Sequence, residues 1–360
     1  MSVDERLENA RLALNEGEIR TAVGLLDSII EDDPDQVDAL RMRGHVFADY
    51  GYWHDAIKDL NKVLQANQAD IESLYLRAIS RASIGSHGAA LTDWNSLFKI
   101  LSDGGAILQS GSQPSMTDVR AGRAQTRAML DDAVGALEDA EQAIALDPEN
   151  AARYATLGDV YSADFKWLDG VKAYAKAIEL DPTNASYYGL RARCLSNSGA
   201  RRQAIADLEQ ALLVEPDAAW MVANLSQEHF TLGNFARSEE LVIRALELDD
   251  GLGFAHSQLG LVLSVKGDWR RAVEEAERAV ALDDDFPVLY DAACVYGRCL
   301  KLDDVEREEE FLQRAISLVD RAFENGWKDL EHTCIDESFE VIRERPEFQR
   351  LIAKWRGASN

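Results

Sequence analysis

The chain has 360 residues, nominally two or three ordinary domains, with only 23 glycines and 7 prolines, a balance that favours helix. Its 64 acidic side chains against 38 basic ones leave a net charge of −26, which repels phosphate backbones and anionic membranes and excludes a general nucleic-acid binder. The start, Met-Ser-Val-Asp-Glu-Arg, lacks an apolar run behind a basic region, no stretch approaches the roughly 18 apolar residues of a membrane span, and the four cysteines (Cys194, Cys294, Cys299, Cys334) lack Cys-x-x-Cys spacing. The expectation is a reduced, cytoplasmic protein without a disulfide framework or a zinc knuckle.

From the amino terminus the chain repeats every 34 residues. Gly17, Gly51 and Gly85 mark the period in the first part, as do Gly199, Gly233 and Gly267 in the second, and Pro148, Pro182 and Pro216 keep the second phase. The two series are out of step by 12 residues. This gives three units over 3–104 (3–36, 37–70, 71–104) and five over 117–286 (117–150, 151–184, 185–218, 219–252, 253–286). In each unit position eight is small: Ala10, Gly44, Ala78, Ala124, Gly158, Ala192, Ser226, Gly260. Position twenty is small as well: Ala22, Ala56, Ala90, Ala136, Gly170, Ala204, Ser238, Ala272. The pattern predicts two short helices per unit, crossing closest at these columns, with a glycine at position fifteen supplying the positive φ that ends the first helix. An aromatic at position seventeen (Trp53, Trp167, Phe235, Trp269) is expected to open the second helix, and large residues at twenty-four (Leu26, Leu60, Trp94, Tyr174, Leu208, Val242) to fill the core.

Residues 105–116, rich in Gly and Ser and without charge, are expected to form an exposed loop. The unit that follows has Asp131 where the turn glycine belongs, and a distorted hairpin is expected there. After 286 the lattice fades. The segment 287–360 reads as a divergent ninth unit around Tyr290–Tyr296, an acidic connection over 303–310, a helix from Phe311 to Asn325, and a tail at 339–351 with apolar spacing suited to covering an open end.

These strings resemble the tetratricopeptide-repeat family: Gly51-Tyr52-Trp53-x-x-Ala56 and Ala177-Ile178-Glu179-Leu180-Asp181-Pro182 match its second-helix pattern, and Leu157-Gly158-x-x-Tyr161 its first. The resemblance implies an all-α, right-handed superhelical solenoid of helix-turn-helix repeats with a divergent helical carboxyl-terminal cap. The tail is similar to that of bacterial proteins of this family, some fused to serine/threonine protein kinases, although no kinase motif is present.

One departure from the family repeats with the lattice. Position seven, usually apolar, is Arg43, Arg77, Arg123 or Arg191 in four units, and position twenty-three of those same units is Asp59, Asp93, Asp139 or Asp207. The other four units carry Leu25, Ala173, Leu241 and Glu275 at twenty-three. The covariation predicts an Arg–Asp bridge between the two helices of each of those hairpins.

No phosphate loop, dinucleotide fingerprint, His-Glu-x-x-His or nucleophile elbow occurs, and the six histidines show no ligand spacing. The expectation is a non-enzyme with no catalytic residues, no metal and no cofactor. In the family the groove is lined from the first helix, which here points to Arg41, His45 and Tyr75 in the early units. In the later units it points to Arg193, to Trp220, Asn224 and Gln227, and to Phe254 and Gln258. Rigid aromatic faces beside amides suit an extended peptide or a partner helix. The family's clamp for carboxyl-terminal chaperone tails is matched only by Asn224, with Gly189 and Phe254 where basic or amide groups belong. The reading is a scaffold binding a protein or peptide, with no nucleic-acid or membrane partner and self-association not indicated. The alternative is a regulatory module or companion of a signalling enzyme such as a serine/threonine protein kinase.

Overall fold

A computed structural model of the protein describes residues 1–104, 114–302 and 307–358. Among them it is all-α, with twenty α-helices and one 3-10 turn. Most of the 105–116 segment and the start of the acidic connection, 303–306, lie outside the described residues; Ser115 and Met116 already belong to the next helix, as its cap and first residue.

The chain divides into two compact units, Met1–Pro182 and Thr183–Asn360. The first stacks five hairpins: α1 (Val3–Asn15) with α2 (Ile19–Asp32), α3 (Val37–Asp49) with α4 (Trp53–Ala66), α5 (Ile71–Ser83) with α6 (His87–Ser102), α7 (Met116–Ala128) with α8 (Ala133–Leu146), and α9 (Ala151–Ala163) with α10 (Trp167–Leu180). The second stacks α11 (Ala185–Asn197) with α12 (Arg201–Val214), α13 (Ala219–Thr231) with α14 (Phe235–Leu248), α15 (Gly253–Lys266) with α16 (Trp269–Leu282), and α17 (Phe286–Cys299) with α18 (Glu308–Glu324). It closes with α19 (Leu330–Ile335), the 3-10 turn Glu337–Phe339 and α20 (Pro346–Ala358). Each unit is a helix-turn-helix solenoid.

Local chemistry sets the hairpin ends. First helices open on polar caps: Ser2 and Glu5 form a reciprocal capping box, and Asp70 and Asn150 accept from the first-turn amides of Ser73 and Ala152. They close at position fifteen, where Gly51 adopts φ 76° and the next amide, Tyr52 N, donates to Phe47 O at 2.8 Å. Where glycine is missing the same turn still forms. Asp131 sits at φ 59° with Asp132 N donating to Arg127 O at 3.0 Å, and Phe165 at φ 56° with Lys166 N donating to Tyr161 O at 2.9 Å. The hairpin at Asp131 is therefore not distorted, contrary to expectation: an Asp side chain tolerates the left-handed region, and packing of the two helices over-determines the turn. Trp53, Trp167, Phe235 and Trp269 each open a second helix.

Packing follows the small columns. All sixteen residues at positions eight and twenty are buried. A methyl group at Gly158 would meet the Tyr174 ring at 2.7 Å, so the hairpin cross and the large residue at twenty-four are matched sterically. Ser226 and Ser238 satisfy their hydroxyls across the same crossing, Ser226 Oγ donating to Ser238 O at 2.8 Å. Leu26, Leu60, Trp94, Tyr174, Leu208 and Val242 are all buried at the core, each such burial contributing roughly 1.5–3 kcal/mol. At the carboxyl end the 3-10 turn crosses α17 so closely that a methyl group at Gly297 would lie 2.4 Å from Ser338 O. Phe339, Ile342, Phe348, Leu351 and Ile352 are buried, and Trp355 of α20 stacks on Phe323 of α18 with centroids 5.1 Å apart. No helix among the described residues is long and apolar enough to cross a membrane.

Candidate functional site

The four arginines at position seven are all paired as their covariation implies. Arg43 Nε donates to Asp59 Oδ2 at 2.7 Å and Nη2 to Oδ1 at 2.8 Å, and the same two-pronged contact joins Arg77 to Asp93, Arg123 to Asp139 and Arg191 to Asp207 at 2.7–3.0 Å. The hydrogen bonds that Arg43 donates to Asp59 raise its affinity for its proton, and those to Asp207 do the same for Arg191. In the first unit the remaining nitrogen reaches back to the preceding hairpin: Nη1 of Arg43 to Asp27 at 2.6 Å, of Arg77 to Asn61 at 2.7 Å, of Arg123 to Asn95 at 3.3 Å. These guanidinia are spent on structure and offer no anion site. Where position twenty-three is Glu275, it takes His256 instead, Nδ1 at 2.5 Å, while His256 Nε2 lies 3.0 Å from Asp250 O.

The groove residues read from the sequence fall into both units. In the first, Arg41 bridges Asp38 at 3.0 Å and Asp70 at 3.1 Å. His45 has Nδ1 2.8 Å from Glu72, which raises its pKa. Tyr75 packs edge-on against Trp94 with centroids 5.5 Å apart, and burial raises its phenol. All three are thus engaged by their own chain.

In the second unit the arrangement is more open. Arg193 of α11 is exposed. Trp220 lies in the first turn of α13 and is 37% exposed, its indole seated over Gly189 of α11, where a methyl group would lie 2.4 Å from the ring. Asn224 and Gln227, one and two turns further along α13, are partly exposed, and their side chains make no hydrogen bond among the described residues. Phe254 holds the same place on α15 and is partly exposed. Gln258, one turn on, differs: it is 0% exposed, and its Nε2 donates to Asp291 Oδ2 of α17 at 2.7 Å. Trp220, Asn224 and Gln227 of α13 and Phe254 of α15 thus keep part of their surface open, and Gln258 is turned inward. Further along α13, Arg298 of α17 lies over the Phe230 ring, 5.7 Å from its centroid.

A second cluster, not evident from the sequence, joins α17 to the closing segment. Asp336 Oδ2 accepts from Tyr290 Oη at 3.1 Å and lies 3.7 Å from Cys294 Sγ and 3.5 Å from His332 Nε2, while Oδ1 accepts from the Ser338 amide at 2.7 Å. Burial alone would raise the Asp336 carboxyl, but hydrogen bonds from His332, Ser338 and Tyr290 hold it well below the usual carboxylate range. His332 is raised in turn, and burial pushes the Tyr290 phenol and the Cys294 thiol far up. A thiol kept protonated beside an ionised carboxylate is a hydrogen-bonding group, not a nucleophile. The cluster fastens the cap to α17.

The tetratricopeptide-repeat family matches at residues 7–70 and 173–217. The chain is 24% identical to Hsp70-Hsp90 organizing protein 1 of Glycine max over 284 residues, 77% of this chain and 48% of that one. It is 36% identical to DnaJ homolog subfamily C member 7 of Homo sapiens over 110 residues, 29% of this chain and 22% of that one. The chain spans less than half the length of these relatives. Among solved structures, a tetratricopeptide repeat protein from Parabacteroides merdae superposes with a TM-score of 0.61 at 16% identity, covering 72% of this chain and 98% of that one.

Proposed function

Because the chain is a tetratricopeptide-repeat protein, we propose that it is a non-enzymatic interaction module, and that the first-helix faces of α13 and α15 hold an extended segment of a partner protein. The observation that carries this reading is the pair Trp220 and Phe254: two aromatic faces in the same place one repeat apart, both partly exposed, with the unpartnered amides of Asn224 and Gln227 beside them. Aromatic anchors contribute most of the energy of such contacts, and free amides fix the register of a peptide backbone. A solenoid of stacked hairpins offers this surface without closing over it.

The relatives fit the reading. One is named as an organizer of two chaperones and another as a DnaJ homolog. For this chain the clamp expected of chaperone-tail adaptors is missing, Gly189 serving as the seat for Trp220 and Phe254 presenting a ring, so a partner with a different tail chemistry is favoured. The test is selection of random dodecapeptides displayed on phage against the wild type and against Trp220→Ala/Asn224→Ala. The double variant is expected to melt within a few degrees of the wild type and to lose the selected peptides. Undiminished binding by the double variant refutes the assignment to this face.

A further inference from the structure

Two adjacent hairpins, α7–α8 and α9–α10, depart from the lattice in the same way. Position eighteen, in the first turn of the second helix, is polar or small in the other six units: Arg20, His54, Gly88, Arg202, Ala236 and Arg270. All six are exposed, so the lattice turns this position to water. In these two units it is apolar, Val134 being 82% exposed and Leu168 65%. The turn residue departs in the same pair: Asp131 and Phe165 are the non-glycine residues at positive φ among the described residues, and Phe165 is 54% exposed. Strained turns that hold bulky apolar groups in solvent mark an interaction surface, not a core. Between the two hairpins lies an open recess of about 30 Å³, lined by Ala128, Ala133, Val160 and Ala163 and by Asp131 and Asp164. The exposed apolar residues adjoin it along the chain, Val134 after Ala133 and Phe165 after Asp164, with Leu168 in the helical turn that follows. The rim is acidic. Asp131, Asp132, Asp164 and Asp169 stand there against Lys166 and Lys172, whose pairs to Asp164 at 2.7 Å and Asp169 at 2.8 Å are exposed and therefore weak. Arg127 is drawn inward to the buried Asp139, at 2.8 Å.

We propose that this turn edge docks an amphipathic helix of a partner protein, its apolar face covering Val134, Phe165 and Leu168 and its flanking Lys or Arg residues meeting the aspartates of the rim. A long cationic side chain suits the recess: its stem lies against the alanines and Val160, and its charged head meets Asp131 and Asp164. An acidic segment would set like charges against the rim, and a wholly apolar one would bury the carboxylates without a counter-charge. A second copy of this chain is a poor occupant, because it brings the same acidic rim and a further net charge of −26. An anionic membrane is repelled for the same reason. The edge belongs to the unit Met1–Pro182, whereas Trp220 and Phe254 belong to Thr183–Asn360, so the inference is independent of the groove reading and adds a second surface to it.

The test uses the same random dodecapeptide library on the wild type, on Val134→Ser/Leu168→Ser and on Trp220→Ala/Asn224→Ala. Both serines replace exposed side chains, so the first double variant is expected to melt with the wild type. A class of peptides is expected that binds Val134→Ser/Leu168→Ser at least about tenfold more weakly than the wild type and is indifferent to Trp220→Ala/Asn224→Ala. Its members should carry apolar residues at helical spacing together with Lys or Arg. Replacing their Lys by norleucine, or their Arg by citrulline, should weaken binding to the wild type at least about tenfold. Val134→Arg alone, which sets a cation on the edge, should repel the same peptides and keeps the comparison if the double variant melts early. A selection without this class, or one whose members are acidic or keep their affinity after charge replacement, overturns the inference. If every recovered peptide depends on Trp220 and Asn224 and none on Val134 and Leu168, the groove reading stands and the turn edge is not a docking surface.

Discussion

Arg123 and Asp139 face each other across the α7–α8 hairpin with both nitrogen–oxygen distances at 2.7 Å, and Asp139 is 1% exposed. The same carboxylate also accepts from Arg120 at 3.0 Å and Arg127 at 2.8 Å. Three guanidinia converge on one acid, so its removal strands several donors at once. Asp139→Ala is expected to cost about 3–5 kcal/mol, the range for breaking a buried pair, whereas the exposed control Glu8→Ala should cost about 0–1 kcal/mol. Urea midpoints of the two variants check this. Equal midpoints would show that the clamp adds no more than a surface ion pair.

The turn at Phe165 gives a second expectation. A bulky residue at φ 56° bears about 1–2 kcal/mol of backbone strain that glycine does not. Against this stands the edge contact of Phe165 with Trp167 at 5.6 Å, which is half exposed and falls at the lower end of about 0.5–1.5 kcal/mol. Strain wins, and Phe165→Gly should raise the melting temperature. A lowered melting temperature would mean the aromatic contact dominates the turn.

How much of this was readable beforehand depends on distance along the chain. The hairpins, their small crossing columns and the Arg–Asp pairs were legible because they recur every 34 residues, so the repeats serve as their own alignment. What lies off the lattice was not. Asp336 meets Tyr290 and Cys294 across 46 and 42 residues of non-repeating chain, and no periodicity announces such a contact. The third arm of the clamps at Arg43, Arg77 and Arg123 escaped because its partner, Asp27, Asn61 or Asn95, belongs to the preceding hairpin and changes identity between units. Gln258 shares its column with the open Asn224, and only the approach of Asp291 from α17 turns it inward. Phe165 was invisible because it fills a glycine's place without any sequence sign that the turn survives.

The match between positions eight and twenty-four predicts a coupled effect. In the fifth hairpin Gly158 makes room for the Tyr174 ring, whose hydroxyl donates to Asp159 at 2.6 Å. Gly158→Ala therefore forces the ring aside and should cost about 1–3 kcal/mol, despite alanine's better helix propensity. Elsewhere the chain solves the same crossing with Ala10 against Leu26 and Ala192 against Leu208. Gly158→Ala/Tyr174→Leu should accordingly lose less stability than the sum of the two single changes. Strict additivity in a double-mutant cycle would show that the two positions are not sterically paired.

Asp291 sets a pH dependence of definite sign. Its folded pKa, about 7, lies above the ordinary carboxylate value, because burial and the like charge of Asp336 outweigh the hydrogen bonds from Ser257 and Gln258. A raised folded pKa means that the protonated form is the one the fold favours. The associated stability is fully present below about pH 4 and is lost as pH climbs through 7. Asp291→Asn holds a neutral amide there at every pH, so it escapes that loss. Relative to the wild type it should gain about 1–3 kcal/mol between pH 5 and pH 8. Urea denaturation of both proteins at the two pH values measures the difference directly, without any bound peptide. A difference that stays constant, or that shifts towards the wild type at pH 8, would show that Asp291 is ionised and compensated in the folded protein.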